Sequence, residues 1–127
     1  MLSDYQLIAS LATSDSQRAR QWYSERLGLE PMFEMPGYLG YQVGPGMFTV
    51  YETEFAGTAK NTVAVMNVRD LDAEMRRLRS SGVVFEEYDI PNFKTVDGVS
   101  TDAEDGARNA WFKDPDGNGW TLQKLPY

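Results

Sequence analysis

The sequence predicts an α+β fold built from two βαβββ modules, and three observations predict it. Each half reads as a strand, a helix and about three further strands, in the same order. Helix-terminal residues recur at a near-constant offset: Asp15 and Asp70 lie 55 residues apart, and Gly28 and Gly82 lie 54 apart, which supports an internal duplication. The run Asp114-Pro115-Asp116-Gly117-Asn118-Gly119 is a dense hairpin signal between the last two strands.

Residues 5–13 read as the first strand. Ser14 stands three residues before Gln17, a capping-box spacing that starts a helix. Ala19, Trp22, Tyr23 and Leu27 follow at helical spacing and predict the face turned to the core. Gly28 can adopt the left-handed conformation that ends a helix, and Pro31 forbids its continuation. Residues 38–55 predict two strands around Gly44-Pro45-Gly46, since Met47-Phe48-Thr49-Val50-Tyr51 has the β-branched and aromatic content that strands prefer. In the second half, residues 62–68 read as a strand and Asp70 as a helix cap. Leu71, Met75 and Leu78 form an apolar stripe, and Gly82 closes the helix. Val83-Val84-Phe85 begins another strand, followed by strands at 109–113 and 119–125. The small polar stretch Ala56–Asn61 is the linker. The whole chain, 1–127, reads as one domain, with one module at about 1–56 and the other at about 61–127. Neither half alone is large enough for a good core.

Composition narrows the function. The 127 residues are 42% hydrophobic, 13% aromatic and 24% charged, ordinary for a globular protein. There is no cysteine and no histidine. This excludes disulfides, thiolate nucleophiles, Cys/His zinc sites, Ser-His-Asp triads and imidazole acid–base catalysis. The net charge is −7, from 12 basic and 19 acidic residues. That argues against nucleic acid as a partner, which needs a basic footprint, and against anionic membranes. Arg76, Arg77 and Arg79 read as the solvated face of the second helix. No stretch approaches the ~20 apolar residues of a membrane span. Met-Leu-Ser-Asp-Tyr does not read as a signal peptide, so a cytoplasmic location is the expectation.

The run from Ser14-Asp15 through Ala19-Arg20-Gln21-Trp22-Tyr23 to Leu27-Gly28-Leu29-Glu30-Pro31, together with Trp111-Phe112-Lys113-Asp114-Pro115-Asp116-Gly117-Asn118, resembles the glyoxalase/bleomycin-resistance/extradiol-dioxygenase group, the vicinal oxygen chelate superfamily. The resemblance covers nearly the full chain. It implies paired βαβββ modules, a curved mixed sheet around a cavity, and a homodimer. It also implies where metal ligands would stand in the family's enzymes, on the first and last strands of each module. Here those positions are Ile8, Thr49, Val63 and Thr121. Two aliphatic side chains and two hydroxyls do not replace imidazoles and carboxylates around a catalytic divalent ion. Glu52, three residues from Thr49, is expected on the opposite face of its strand. No metal site and no cofactor are therefore expected.

The expectation is a metal-independent protein that holds a small apolar or aromatic molecule, such as a metabolite or an antibiotic. The candidate ligand-binding residues are Tyr41, Phe48, Thr49, Tyr51, Phe93, Trp111, Trp120 and Thr121. Aromatic faces supply dispersion and stacking with planar ligands, and the two threonines supply hydroxyls at the emptied metal positions. Residues 86–108 are longer than a hairpin connection needs. They read equally as a cover for the cavity, anchored by Tyr88 and Phe93, or as a surface loop, and Lys94 and Asp97 as ligand contacts or as a pair. Asp102, Glu104 and Asp105 lack the spacing of a calcium loop and read as solvated charge. The alternative is an enzyme of the same superfamily, a lyase, isomerase or dioxygenase-like protein using carboxylates or an oxygen-ligated divalent metal. Glu52, Asp97 and Tyr51 are its acid–base candidates by location alone.

Overall fold

A computed structural model describes residues 1–127. A 3-10 turn at Leu2–Asp4 precedes β1 (Ala9–Thr13), α1 (Ser16–Leu27), β2 (Phe33–Met35), β3 (Tyr38–Val43) and β4 (Gly46–Glu52). The second half contains β5 (Thr62–Asn67), α2 (Leu71–Ser80), a short hairpin of β6 (Asp89–Ile90) and β7 (Phe93–Lys94), then β8 (Val99–Thr101), β9 (Arg108–Lys113) and β10 (Gly119–Lys124).

Two four-stranded sheets result, ordered β1-β4-β3-β2 and β5-β10-β9-β8. In each, the strand before the helix pairs in parallel with the last strand of its half, and the other pairings are antiparallel. This is the repeated βαβββ order the sequence predicts, laid out as curved sheets that do not close.

Several boundaries differ from the sequence reading. β1 begins at Ala9, and residues 5–8 take part in no ladder. The cap of α1 is Asp15 rather than Ser14: its carboxylate accepts from the backbone N–H groups of Gln17 and Arg18. Asp70 caps α2 in the same way, accepting from Ala73 N–H. Gly28 ends α1 at φ 68°, the left-handed geometry a C-terminal glycine allows. Val83-Val84-Phe85 joins no ladder. Val83 and Phe85 are buried and Val84 is exposed, and the segment's anchor to the sheet is Glu86 N–H donating to the Trp111 carbonyl. The third strand of the second sheet comes instead from within 86–108, as β8 against β9.

One apolar cluster joins both halves. Tyr23 and Ala19 of α1 and Leu71 and Met75 of α2 pack against Leu11, Leu39, Tyr41, Phe48 and Val50 from the first sheet and Ala110, Phe112, Trp120 and Leu122 from the second. The rings interlock: Tyr41 stacks on Phe48 at 4.7 Å, and Trp120 meets Phe48 edge-on at 5.1 Å. Trp22 is half-buried at its edge. The core therefore lies on the helix side of the two sheets and leaves their opposite faces open.

Candidate functional site

Strand alternation decides which side chains reach the open faces. In β4, Phe48 and Val50 enter the core, so Thr49 and Tyr51 point the other way. Tyr38, opposite Tyr51 in the ladder, shares that face. Phe33 lies opposite Gly40 and occupies the space a side chain there would need: a Cβ on Gly40 would stand 2.1 Å from the Phe33 ring. Phe33 stacks on Tyr38 with ring centres 5.8 Å apart. In β9, Ala110 and Phe112 are core residues, which turns Trp111 to the open face beside its ladder partner Thr121. Tyr88 and Phe93 then close on Trp111 at 5.9 and 5.2 Å, forming a triad of rings outside the core.

The eight candidate ligand residues are thus divided. Tyr41, Phe48 and Trp120 are almost fully buried on the helix side against Tyr23. Tyr51 and Trp111 stand on the open faces, Thr49 and Thr121 point to the same side but are themselves buried, and Phe93 joins Trp111 through the β6–β7 hairpin. Phe93 and Trp111 border a groove of about 760 Å³ with Ile90, Asn92 and Asn109. A second groove, of about 660 Å³ and mostly apolar, runs between the β3–β4 turn and β5, where edges of Phe48 and Trp120 reach it. Phe33 and Tyr38 are additions to the site. The dipeptide Pro36-Gly37 between Met35 and Tyr38 is the turn signal that marks their hairpin.

The positions implied for metal ligands do not fit a divalent ion. Thr49 Oγ1 is hydrogen-bonded to Ser10 Oγ at 2.8 Å, and Thr121 Oγ1 to Thr62 Oγ1 at 2.9 Å. Ser10 is the ladder partner of Thr49. In the second half the residue opposite Thr121 is Val65, and Thr62 supplies the hydroxyl instead. Each threonine is thus satisfied by a neighbouring hydroxyl, while Ile8 and Val63 offer no donor atom. Glu52 lies on the helix side, where its Oε1 accepts from Ser16 N–H at the start of α1. Nowhere do three carboxylates converge.

The Asp114–Asn118 turn carries most of the buried polar chemistry. Asp114 accepts from the Tyr23 hydroxyl at 2.6 Å, from Asn118 Nδ2 at 2.8 Å and from the backbone N–H groups of Asp116 and Asn118 at 2.9 Å. Trp120 Nε1–H donates to the Tyr23 oxygen at 3.2 Å. Burial raises the Asp114 carboxyl above its ordinary value against the pull of these donors. Burial first, and then the Asp114 charge, hold the Tyr23 phenol well above 10.0. The whole chain of donors lies inside the core, away from both open faces, so it fixes the fold and presents no acid or base to a ligand.

A family profile described as the Glyoxalase/Bleomycin resistance protein/Dioxygenase superfamily matches residues 6–122. The chain belongs to that superfamily. Among solved structures, a glyoxalase/bleomycin resistance protein from Catenulispora acidiphila is similar at 25% identity and a TM-score of 0.72, over 95% of this chain and 98% of the other. The bleomycin resistance determinant encoded on the transposon Tn5 has a TM-score of 0.72 at 22% identity, over 95% and 98% of the two chains. A bleomycin-binding protein complexed with bleomycin gives the same identity and TM-score over 94% and 98%. At those lower identities the likeness is one of fold. No curated protein matches the sequence. Both sheets and the Asp114–Asn118 turn lie within or span the matched residues, and the four positions that the resemblance implies for metal ligands carry aliphatic and hydroxyl side chains. No helix is long and apolar enough to cross a membrane.

Proposed function

We propose that this superfamily member is a metal-independent binder of a planar aromatic or apolar small molecule, of the class to which aromatic antibiotics belong, and that it sequesters the ligand without transforming it. One observation carries the reading. The implied metal positions are filled by Ile8, Val63 and two mutually satisfied hydroxyl pairs, while aromatic rings stand partly exposed around them. Phe33 and Tyr51 are more than a third exposed, and Tyr38 and Trp111 are half-buried. Each ring–ring contact with a ligand adds about 0.5–1.5 kcal/mol beyond buried area. The two candidate carboxylates do not converge on these rings: Glu52 caps α1 from the helix side, and Asp97 borders a groove beside α2.

The same reading makes the working unit a homodimer in which the second copy covers the open faces. The protomer exposes 8243 Å², whereas a compact monomer of 14.4 kDa exposes roughly 6,800 Å². The excess is larger than the roughly 800 Å² each partner contributes to a standard interface. Leu2, Tyr5 and Leu7, outside the sheets, are exposed as well.

Native mass spectrometry before and after chelator, followed by calorimetric titration with bleomycin and with planar aromatic compounds, tests the proposal. The expected result is a dimer whose mass is unchanged by chelator and which binds an aromatic ligand saturably. A stoichiometric divalent ion removed by chelator, or no binding by any aromatic compound, overturns it.

A further inference from the structure

The groove between α2 and the segment 94–101, about 650 Å³ in volume, gathers Arg76, Arg79, Lys94 and Arg108 with Asp72 and Asp97. Four of the twelve basic residues of a chain with net charge −7 therefore meet in one place. We infer that this groove binds an anionic group, a phosphoryl or carboxylate group carried by a small molecule, at a site that adjoins the Phe93–Trp111 groove through Lys94 and Thr101 and is charged where that groove is aromatic.

The arrangement of partners supports this. Asp72 is engaged by Arg108 through two contacts, at 3.0 and 3.3 Å, which neutralises one cation and fixes its fork. Arg79 is held by the Asp97 backbone carbonyl at 2.8 Å and lies over the Phe85 ring at 5.2 Å. Its charge is positioned but not neutralised. Arg76 and Lys94 form no ion pair. Against these three cations stands the single carboxylate of Asp97, so the groove keeps a net positive charge inside an acidic molecule.

Arg76 and Arg79 are three residues apart on α2 and project from one face, where like charges repel. An anion bridging them removes that repulsion and gains charge-assisted hydrogen bonds from planar forks suited to phosphate and carboxylate. Arg77, on the same helix, is instead paired with Glu74 at 2.9 Å and does not border the groove. Exposed arginines kept only for solubility do not require the two unpaired cations, Arg76 and Lys94, to converge from different elements.

The test is titration of the full chain at low ionic strength with inorganic pyrophosphate and, in parallel, with citrate, followed by backbone amide NMR. The expected result is saturable shifts confined to 72–79, 94–101 and the neighbourhood of Arg108. Pyrophosphate alone identifies a phosphoryl ligand, citrate alone a carboxylate. The double variant Arg76→Glu/Lys94→Glu is expected to lose at least about tenfold in affinity, and Arg76→Gln/Lys94→Gln to lose less. The charge-matched control Lys60→Glu/Arg69→Glu, outside the groove, is expected to bind as the parent does. Failure of both anions to shift these amides saturably, or an equal loss in the control, overturns the inference.

Discussion

Thr13 Oγ1 donates to Asp116 Oδ2 at 2.6 Å across 103 residues of sequence, joining the end of β1 to the turn before β10. Asp116 Oδ1 also accepts from Ser14 N–H at 3.0 Å and from Arg18 at 2.6 Å. Asn118 Nδ2 adds a bond to the Ala12 carbonyl at 2.8 Å. The turn of the second half thus holds the strand–helix junction of the first. Asp116→Ala is expected to cost about 1–3 kcal/mol, chiefly because it removes the acceptor of the Ser14 amide and leaves the buried Thr13 hydroxyl only its contacts with the Asp15 backbone. The Arg18 pair contributes less, since that side chain is 48% exposed. Urea unfolding measures the loss. A change below about 1 kcal/mol shows that these bonds are replaceable by water.

Tyr41 is the buried exception to that satisfaction. Its hydroxyl has no partner, its ring is stacked on Phe48, and burial pushes its phenol up to about 12. Removing an unpartnered buried hydroxyl is neutral or stabilising. Tyr41→Phe is expected to leave the thermal midpoint unchanged or raise it. A clear fall in the midpoint means that the hydroxyl has a partner in solution.

Three carboxyl groups are expected to titrate in a definite order. Asp114 is raised by burial. Asp72 is lowered by Arg108, and Asp102 by the backbone N–H groups of Asp105 and Glu104. Carboxyl-carbon NMR across an acid titration should therefore show Asp114 protonating before Asp72 and Asp102 as pH falls. For Asp114 the folded value exceeds the unfolded one. Its contribution to stability is greatest below the ordinary value of 3.8 and declines as pH rises through the raised value. Asp72 and Asp102 have the opposite sign: their contribution is present above 3.8 and is lost in acid. Asp114 titrating after Asp72 contradicts the burial argument.

Trp111 and Trp120 separate site from core. Trp120→Ala removes a ring buried in the central cluster and is expected to cost about 3–5 kcal/mol. Trp111→Ala removes a half-buried ring of the open face. It should weaken aromatic ligands at least about tenfold, the equivalent of 1.4 kcal/mol, with a smaller loss of stability. Paired calorimetry and chemical denaturation distinguish the two. Equal loss of stability in both variants places Trp111 in the core instead.

Gly40→Ala tests the first sheet. The added methyl displaces the Phe33 ring and breaks its stack on Tyr38 without entering the helix-side core. Ligand affinity should fall while secondary structure by circular dichroism is retained. Unchanged affinity removes Phe33 from the site.

Periodicity, caps and turns made the βαβββ order legible, because helix ends and hairpins are written in adjacent residues. The face of each strand was not legible in the same way. Tyr41 and Phe48 go inward and Tyr51 outward, and a one-residue slip exchanges them. Only the docking of Tyr23 against β3, β4 and β10 decides between them. The run Asp114–Asn118 announced a turn, but its partners Thr13, Tyr23 and Ala12 are set by tertiary approach and leave no local pattern. Phe33 and Tyr38 were marked by Pro36-Gly37, a weaker signal than the later turn. The convergence of Arg76 with Lys94 depends on the β6–β7 hairpin, which no periodicity in 86–108 foretells.

The bond between Thr13 and Asp116 also has a consequence for synthesis. The amide of Ser14 and the hydroxyl of Thr13 find their carboxylate only in a stretch of chain synthesised 102 and 103 residues later. Until then, α1 has Tyr23 but neither the Asp114 carboxylate nor the Trp120 ring that enclose it. The first half therefore emerges with its interior uncovered, and contacts of such long separation form late. The nascent chain is most exposed to aggregation and proteases before the β9–β10 hairpin docks, and truncation within that hairpin, whose Phe112 and Trp120 are buried, should uncover the interior of both halves.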